Sequence, residues 1–161
     1  MSLTISNTSL IDELDVWEAN ITPLPSVDYT SLSYSETNKD LWVCQNTDAV
    51  EEMELLFTKS VIEEKISQPY SLVTQIFKNK PGFELVPHID NNEMLGVIII
   101  NLLTNETSTE FYNMSDVKIG QAPLTKNTGV MYLNNYDFKH GYNNVSSADR
   151  YICICIIYKK Q

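Results

Sequence analysis

Residues 48–66 carry the hydrophobic spacing of an amphipathic helix. Apolar side chains recur along one face at three- and four-residue intervals, namely Val50, Met53, Phe57 and Val61. Asp48 is interpreted as the N-cap with Glu51 three residues on, which is the spacing of a capping box. The helix is expected to end before Gln68-Pro69, because proline restricts the residue before it to extended backbone.

From Tyr70 onward the pattern changes to short strands separated by turns such as Pro81-Gly82. Alternating or continuous apolar runs predict strands at Leu72–Phe77, Phe83–Asp90, Leu95–Leu103, Thr109–Tyr112, Gly129–Leu133 and Tyr151–Tyr158. So many short strands are typical of an antiparallel sandwich or barrel. We therefore predict a mainly β fold with one or two packing helices, and we favour a jelly roll with a helix laid on one face.

The first part of the chain, residues 1–46, is polar and rich in turn-forming residues. It fits short strands or an irregular arm better than a helix. The length of 161 residues allows one domain with a sizeable core. We predict a single domain over residues 1–161, in which an N-terminal arm and helix (1–69) support a β core (70–161).

The chain is strongly acidic, with a formal net charge of −10 from 11 basic and 21 acidic residues. A protein that binds a polyanion must cluster lysine and arginine on one face. This balance disfavours nucleic acid and anionic membrane surfaces as partners. The longest apolar stretch, Leu95–Ile100, has the length of a strand and falls far short of the roughly 18 residues of a membrane span. We therefore expect no membrane-spanning segment.

The three cysteines, Cys44, Cys153 and Cys155, are an odd number, and their spacing does not indicate a disulfide framework. Cys153 and Cys155 alternate along the last predicted strand and are interpreted as small buried hydrophobic residues. The N-terminal segment lacks the basic start and apolar block of a secretion signal. These features predict a protein of the reducing cytoplasm.

His88 and His140 are the only histidines of the chain, and His88 lies in the segment Val86–Asp90. Side chains at positions i and i+2 of a strand point to the same face, so His88 and Asp90 present an imidazole and a carboxylate side by side. His140 follows the predicted strand Gly129–Leu133 and a loop, and a rolled sheet brings distant strands together. Two histidines and one carboxylate suit a non-haem Fe(II) oxygenase. The alternative is that both histidines are incidental residues that only form hydrogen bonds.

Arg150 is the only arginine of the chain and lies ten residues after His140, at the start of the last predicted strand. A dicarboxylate that binds a metal through one end needs a cation for its far carboxylate. The guanidinium fork pairs with a carboxylate through two hydrogen bonds. The alternative is that Arg150 caps a sheet edge or pairs with Asp149. Every other basic residue is lysine, which favours the first interpretation.

Together these motifs resemble the 2-oxoglutarate/Fe(II)-dependent oxygenase superfamily, and in particular its compact prolyl-4-hydroxylase-like branch. The resemblance covers roughly residues 70–158. Its segments are Gly82–Asp90, Leu95–Leu103, Thr109-Glu110-Phe111, Gly129–Leu133, His140 and Arg150-Tyr151. The sequence departs from the family at Thr107-Ser108, where a Gly-Gly pair is usual, and at Phe77, where a tyrosine is usual.

The resemblance implies a double-stranded β-helix, a jelly roll of the cupin-like kind. It implies that His88, Asp90 and His140 bind the catalytic iron. It also implies that Arg150 binds the distal carboxylate of 2-oxoglutarate. A further cosubstrate contact of the family is matched by Asn101, the one polar residue of an otherwise apolar strand, which we expect to face the pocket.

The function expected from this resemblance is an Fe(II)- and 2-oxoglutarate-dependent dioxygenase. With O2, such an enzyme hydroxylates a peptidyl residue, an amino acid or a small metabolite. Two alternatives stay open. A cupin-like metalloprotein or zinc hydrolase would use the same three ligands without 2-oxoglutarate and would not need Arg150. A non-enzymatic jelly-roll interaction protein would leave both histidines without a role in metal binding.

Overall fold

The computed structural model describes residues 2–23 and 25–160 and is mainly β, which confirms the predicted fold class. All strands predicted from Tyr70 onward form, with ends that differ by a few residues. The elements are β1 (Ser2–Ser9), β2 (Val16–Thr22), β3 (Tyr34–Asn38), β4 (Leu41–Cys44), α1 (Thr47–Glu54), α2 (Lys59–Glu63), β5 (Tyr70–Asn79), β6 (Glu84–His88), β7 (Met94–Asn101), β8 (Glu110–Tyr112), β9 (Lys118–Gln121), β10 (Thr128–Leu133), β11 (Lys139–Asn143) and β12 (Arg150–Lys159).

The strands form two antiparallel sheets that face each other across an apolar layer. The larger sheet has eight strands in the order β1-β2-β10-β7-β12-β5-β4-β3, and the smaller has four in the order β6-β11-β8-β9. Alternate side chains of β7 and β12 point into the layer between the sheets. There Val97 and Ile152 of the larger sheet pack in one buried cluster with Phe111 of the smaller. The candidate site lies at this layer.

A second apolar cluster covers the opposite face of the larger sheet, where both helices pack. Met53 and Ile62 from the helices are buried there with Ile98 and Cys153 from β7 and β12. All three cysteines are buried and unpaired. Within residues 2–23 and 25–160, no helix is long and apolar enough to cross a membrane.

The N-terminal residues supply strands to both ends of the larger sheet. β2 pairs with β10, with Ala19 opposite Gly129, and β4 pairs with β5, with Val43 opposite Phe77. The backbones of β10 and β7 lie so close at Gly129 that only glycine fits, since a Cβ at that position would overlap the carbonyl oxygen of Ile99 on β7. The segment is therefore continuous with the sheet that carries the site.

The prediction of one helix over residues 48–66 is wrong, because two short helices form instead. In a continuous helix Met53 and Ile62 would point about 180° apart, yet both are fully buried on the same side of the sheet. The chain therefore breaks at Thr58, which has extended backbone with φ −68° and ψ 133°. The capping box is also wrong: Asn46 is the N-cap without a side-chain hydrogen bond, and Asp48 lies in the first turn.

Two strands of the smaller sheet are absent from the predicted set. β9 is a largely exposed edge strand, so it has no apolar alternation to reveal it. β11 forms in the segment around His140, for which no strand is predicted, and its three central residues, His140, Gly141 and Tyr142, are all buried. Its inward side chains are polar or small, which removes the usual signal of hydrophobic alternation.

Candidate metal centre

The pairing of β6 with β11 brings the two histidines together. His88 is the last residue of β6, and His140 stands directly opposite it in the register of the antiparallel pair. Asp90 follows two residues after His88, just beyond the end of the strand. The spacing that predicted a shared face therefore places the carboxylate beside both imidazoles, in the layer between the sheets.

His88, Asp90 and His140 each offer a ligand atom, and these three atoms lie within 4.8 Å of one another. Asp90 Oδ1 is 3.6 Å from His88 Nε2 and 3.7 Å from His140 Nε2. His88 Nδ1 lies 2.9 Å from the carbonyl oxygen of Val86, which as a hydrogen-bond acceptor fixes the proton on Nδ1 and leaves Nε2 free to bind a cation. Two imidazoles and a carboxylate at this spacing fit a divalent transition metal.

Burial and mutual charge set the protonation of the three groups. Burial lowers the pKa of His140 from 6.5 to about 4, so this imidazole is neutral at pH 7. The Asp90 carboxylate, 3.6 Å from His88 Nε2, raises the pKa of His88. For Asp90, burial acts to raise the pKa, but the two nearby histidines and the hydrogen bond donated by Tyr132 outweigh it and hold the pKa below its ordinary value. A neutral imidazole beside an ionised carboxylate is the state that binds metal.

Tyr132 on β10 contacts the same centre. Its hydroxyl oxygen lies 3.2 Å from Asp90 Oδ2 and 3.0 Å from His140 Nε2. The ring is fixed by edge-on contacts with Phe111 and Phe138, at centroid distances of 5.7 and 6.0 Å. Burial raises the pKa of Tyr132 well above its ordinary value, so the hydroxyl keeps its proton.

A cavity of about 210 Å³ connects the metal centre with Arg150. Its walls are mostly apolar and come from both sheets, including Phe77, Val97, Ile99, Ile152, Ile154 and Leu85. Polar groups are confined to the metal centre and to the end where Arg150, Thr109, Asn79 and Tyr142 lie. This division gives the cavity one end for a cation and another for an anion.

Arg150 is buried and has no carboxylate partner within residues 2–23 and 25–160. Its side chain is 3% exposed, donates from Nη2 to Thr109 Oγ1 at 3.3 Å, and stacks with its guanidinium carbon 4.1 Å from the centre of the Tyr142 ring. Its Nε has no hydrogen-bond partner among the residues that the structure describes. Burial lowers the pKa of Arg150 to about 10, so it is still charged at pH 7. An unpaired buried cation with a free N–H fits a carboxylate ligand.

The alternative partner considered for Arg150 is excluded. Asp149 pairs with Lys80 instead, with Asp149 Oδ2 3.3 Å from Lys80 Nζ. Adjacent residues of a strand point to opposite faces, so Arg150 turns into the layer between the sheets while Asp149 remains part-exposed.

The expectation that Asn101 faces the pocket is not met. It shares the inward face of β7 with Val97 and Ile99, but it lies at the end of the strand and does not line the cavity. Its amide donates to the carbonyl oxygen of Pro123 at 2.8 Å and accepts from Asn105 Nδ2 at 3.0 Å. A segment that folds over the end of β7 therefore uses this polar residue as a structural anchor.

Four cavity residues were missed as site residues, namely Asn79, Thr109, Tyr132 and Tyr142. Asn79 is 2% exposed, and its Oδ1 has no hydrogen-bond partner among the described residues. Tyr142 packs beneath Arg150, and its hydroxyl bonds to Thr107 Oγ1 at 2.8 Å. Thr109 lies in the segment that carries the family resemblance, which was a usable signal, whereas the tyrosines occur too often in the chain to be singled out.

Comparison with known proteins identifies the fold. No family model and no curated protein sequence matches the chain. An oxidoreductase of the 2OG-Fe(II) oxygenase family from Burkholderia pseudomallei is similar in structure, with a TM-score of 0.64 and 13% identity over 81% of this chain and 74% of that one. A Pseudomonas putida prolyl-4-hydroxylase has a TM-score of 0.58 and 11% identity over 82% and 79%. HygX from Streptomyces hygroscopicus has a TM-score of 0.65 and 10% identity over 92% and 84%. The chain thus has the double-stranded β-helix fold of the 2-oxoglutarate oxygenases, as predicted.

Proposed function

We propose that the protein is an Fe(II)- and 2-oxoglutarate-dependent dioxygenase. The observation that carries the proposal is the presence, in one apolar cavity, of a His-Asp-His cluster and a buried arginine that pairs with no carboxylate in the described part of the chain. A metal site alone accounts for the first feature. Only an anionic ligand that spans the cavity accounts for both.

His88, Asp90 and His140 are the proposed iron ligands. Iron and 2-oxoglutarate together supply the activation of O2 and the oxidation of a substrate C–H bond. The chain would hold the metal through one nitrogen of each imidazole and a carboxylate oxygen of Asp90. The mostly apolar walls of the cavity lower the local dielectric constant, which strengthens each electrostatic contact inside it.

Arg150 is the proposed partner of the distal carboxylate of 2-oxoglutarate. Its free Nε and its Nη atoms can form a two-pronged contact with that carboxylate. Thr109 and Tyr142 fix the guanidinium from two sides. Asn79 lines the same end of the cavity, and its side-chain amide can donate to the same anion.

The proposed reaction is the hydroxylation of a C–H bond in a peptidyl residue, an amino acid or a small metabolite. The range is kept wide because one similar structure is a prolyl-4-hydroxylase, whereas HygX was solved with hygromycin B, 2-oxoglutarate and nickel bound. The lining residues beyond the metal centre and the Arg150 end are uncharged. They favour a substrate that presents an apolar group to the metal.

The two alternatives have less support. A zinc hydrolase or cupin-like metalloprotein gives no reason to bury an unpaired guanidinium in the metal cavity, which is unfavourable without an anionic ligand. An interaction protein gives no reason to bury His140, a neutral imidazole, beside an ionised carboxylate.

Thermal unfolding with Mn(II) in place of iron tests the proposal. The metal alone should stabilise the wild type, and 2-oxoglutarate should add to that stabilisation. Pyruvate has the same 2-oxo acid group without the distal carboxylate, so it should add much less. His140→Gln should lose both responses. Metal stabilisation with no further effect of 2-oxoglutarate would favour the metalloprotein alternative, and no response to metal would favour the non-enzymatic one.

A further inference from the structure

The buried hydroxyl of Tyr132 has no hydrogen-bond partners, among the described residues, other than two candidate metal ligands. The residue is 2% exposed, and its ring is held by Phe111 and Phe138. Burial of a hydroxyl is unfavourable unless it is paired, and phenylalanine would fill nearly the same space without that cost. Ring packing alone therefore does not account for a tyrosine at this position.

The two carboxylate oxygens of Asp90 face different partners. Oδ1 lies between the histidines, 3.6 Å from His88 Nε2 and 3.7 Å from His140 Nε2. Oδ2 lies 3.2 Å from the hydroxyl of Tyr132. A cation bound to His140 Nε2 takes up the lone pair of that nitrogen, which then cannot accept a hydrogen bond. The Tyr132 hydroxyl is left with Asp90 Oδ2 as its acceptor.

We propose that Tyr132 is a positioning residue of the metal centre, whose hydroxyl holds Asp90 Oδ2 so that only Oδ1 is presented to the cation. A carboxylate that binds through one oxygen occupies one coordination position instead of two, which leaves positions for other ligands. A hydrogen-bonded carboxylate is also fixed in orientation before the cation arrives. The inference rests on the metal site of the proposed function, and it is independent of 2-oxoglutarate and of the substrate.

The test is Tyr132→Phe, which removes one oxygen and keeps the ring. Mn(II) binding to the metal-free protein is measured by titration, and the coordination of Co(II) is followed by its visible absorption spectrum. We expect the Kd for Mn(II) to rise about 10- to 100-fold, the usual effect of losing such an outer partner of a ligand. The Co(II) spectrum should change, because the freed carboxylate can bind through both oxygens. A residue with only a packing role would alter neither.

Tyr29→Phe is the matched control, since its buried hydroxyl bonds to Met53 Sδ at 3.4 Å in the cluster on the opposite face of the larger sheet. It should leave Mn(II) affinity and the Co(II) spectrum unchanged. Wild-type affinity and spectrum in Tyr132→Phe would overturn this inference alone. An intense visible band of the Fe(III)-loaded wild type that Tyr132→Phe lacks would also overturn it, because the phenol oxygen would then bind the metal directly. A wild type that binds no Mn(II) would overturn the metal site and this inference together.

Discussion

Replacement of Arg150 by methionine removes the buried guanidinium and keeps much of its length. Burial lowers the pKa of Arg150 from 12.5 to about 10, and at about 1.4 kcal/mol per pH unit the charge destabilises the ligand-free fold by about 3 kcal/mol. This cost applies at any pH below about 10, where the folded-state guanidinium is charged. The interaction with Tyr142 is already contained in this pKa, and loss of the Thr109 hydrogen bond offsets about 1 to 2 kcal/mol of the cost. Ligand-free Arg150→Met should therefore be more stable than the wild type by about 1 to 2 kcal/mol.

The effect on 2-oxoglutarate binding has the opposite sign. Without Arg150, the distal carboxylate of the ligand would enter an apolar cavity with no cation at that end. Removal of one partner of a buried charge pair costs about 3 to 5 kcal/mol. The affinity for 2-oxoglutarate should accordingly fall by roughly 10²-fold or more. Mn(II) binding should be retained, because Arg150 contacts none of the three candidate ligands.

Thermal unfolding, without ligands and then with Mn(II) and either 2-oxoglutarate or pyruvate, measures both the gain in ligand-free stability and the loss of 2-oxoglutarate affinity. For a chain of this size, the stability gain corresponds to a rise in Tm of about 2 to 8 °C in the ligand-free variant. The variant should then respond equally weakly to both acids, whereas the wild type should prefer 2-oxoglutarate. Lys80→Met is the matched control, because it removes a nearby cation that pairs with Asp149 outside the cavity.

Two results would refute this reasoning. Wild-type affinity of Arg150→Met for 2-oxoglutarate would mean that the guanidinium does not bind the distal carboxylate. A ligand-free variant less stable than the wild type by several kcal/mol would mean that the contacts of Arg150 within the protein outweigh the cost of burying its charge.

Three further predictions follow from single groups. Gly129→Ala should destabilise the protein by about 3 kcal/mol or more in urea unfolding, since the new methyl group would overlap the carbonyl oxygen of Ile99; wild-type stability would contradict the strand spacing. Burial lowers the pKa of His140 to about 4 in the folded protein. As the pH falls below 6.5, His140 is therefore protonated in the unfolded chain before it is protonated in the folded one. Metal-free stability relative to His140→Gln should then drop between pH 6.5 and 4, by up to about 3 kcal/mol; a flat difference would contradict it. Tyr142→Phe should keep Mn(II) affinity, and Tyr142→Ala should weaken 2-oxoglutarate binding because the guanidinium loses its stacking partner; equal cosubstrate affinity in both variants would count against that role.

The strands of the core could be predicted because a strand buried on one face alternates apolar and polar residues, and a strand buried on both faces is apolar throughout. β7 and β12 are apolar over most of their length; β7 is almost wholly buried, and β12 is buried or half-buried at every residue but the last. The helical region shows the limit of this argument. The spacing of Val50, Met53 and Phe57 is helical. Ile62 is buried on the same side of the sheet, and this depends on tertiary packing, which the periodicity of the helix does not predict.

The three candidate ligands could be predicted from the sequence. Two of them are recognised by their spacing along a strand, and the third is recognised because histidine is rare in this chain. His88 and Asp90 are two residues apart, and His140 is the only other histidine. The sequence contains no information on the register that sets His140 opposite His88, since β11 shows no hydrophobic alternation. Asn101 failed for a related reason: its face was predicted correctly, but its depth along β7 depends on where the segment around Pro123 folds over the strand end.

Rarity also explains why Arg150 could be singled out from the sequence and Tyr132 could not. The chain has one arginine and nine tyrosines, so a lone arginine attracts notice while each tyrosine is one of many. The structure separates the tyrosines by the partners of their hydroxyls. Those of Tyr29 and Tyr34 bond within the cluster beneath the helices, and that of Tyr142 bonds to Thr107. Only for Tyr132, among these four, do the partners belong to the metal centre. A candidate site residue of a common type is thus found from what its polar atom contacts, and those contacts depend on the tertiary fold.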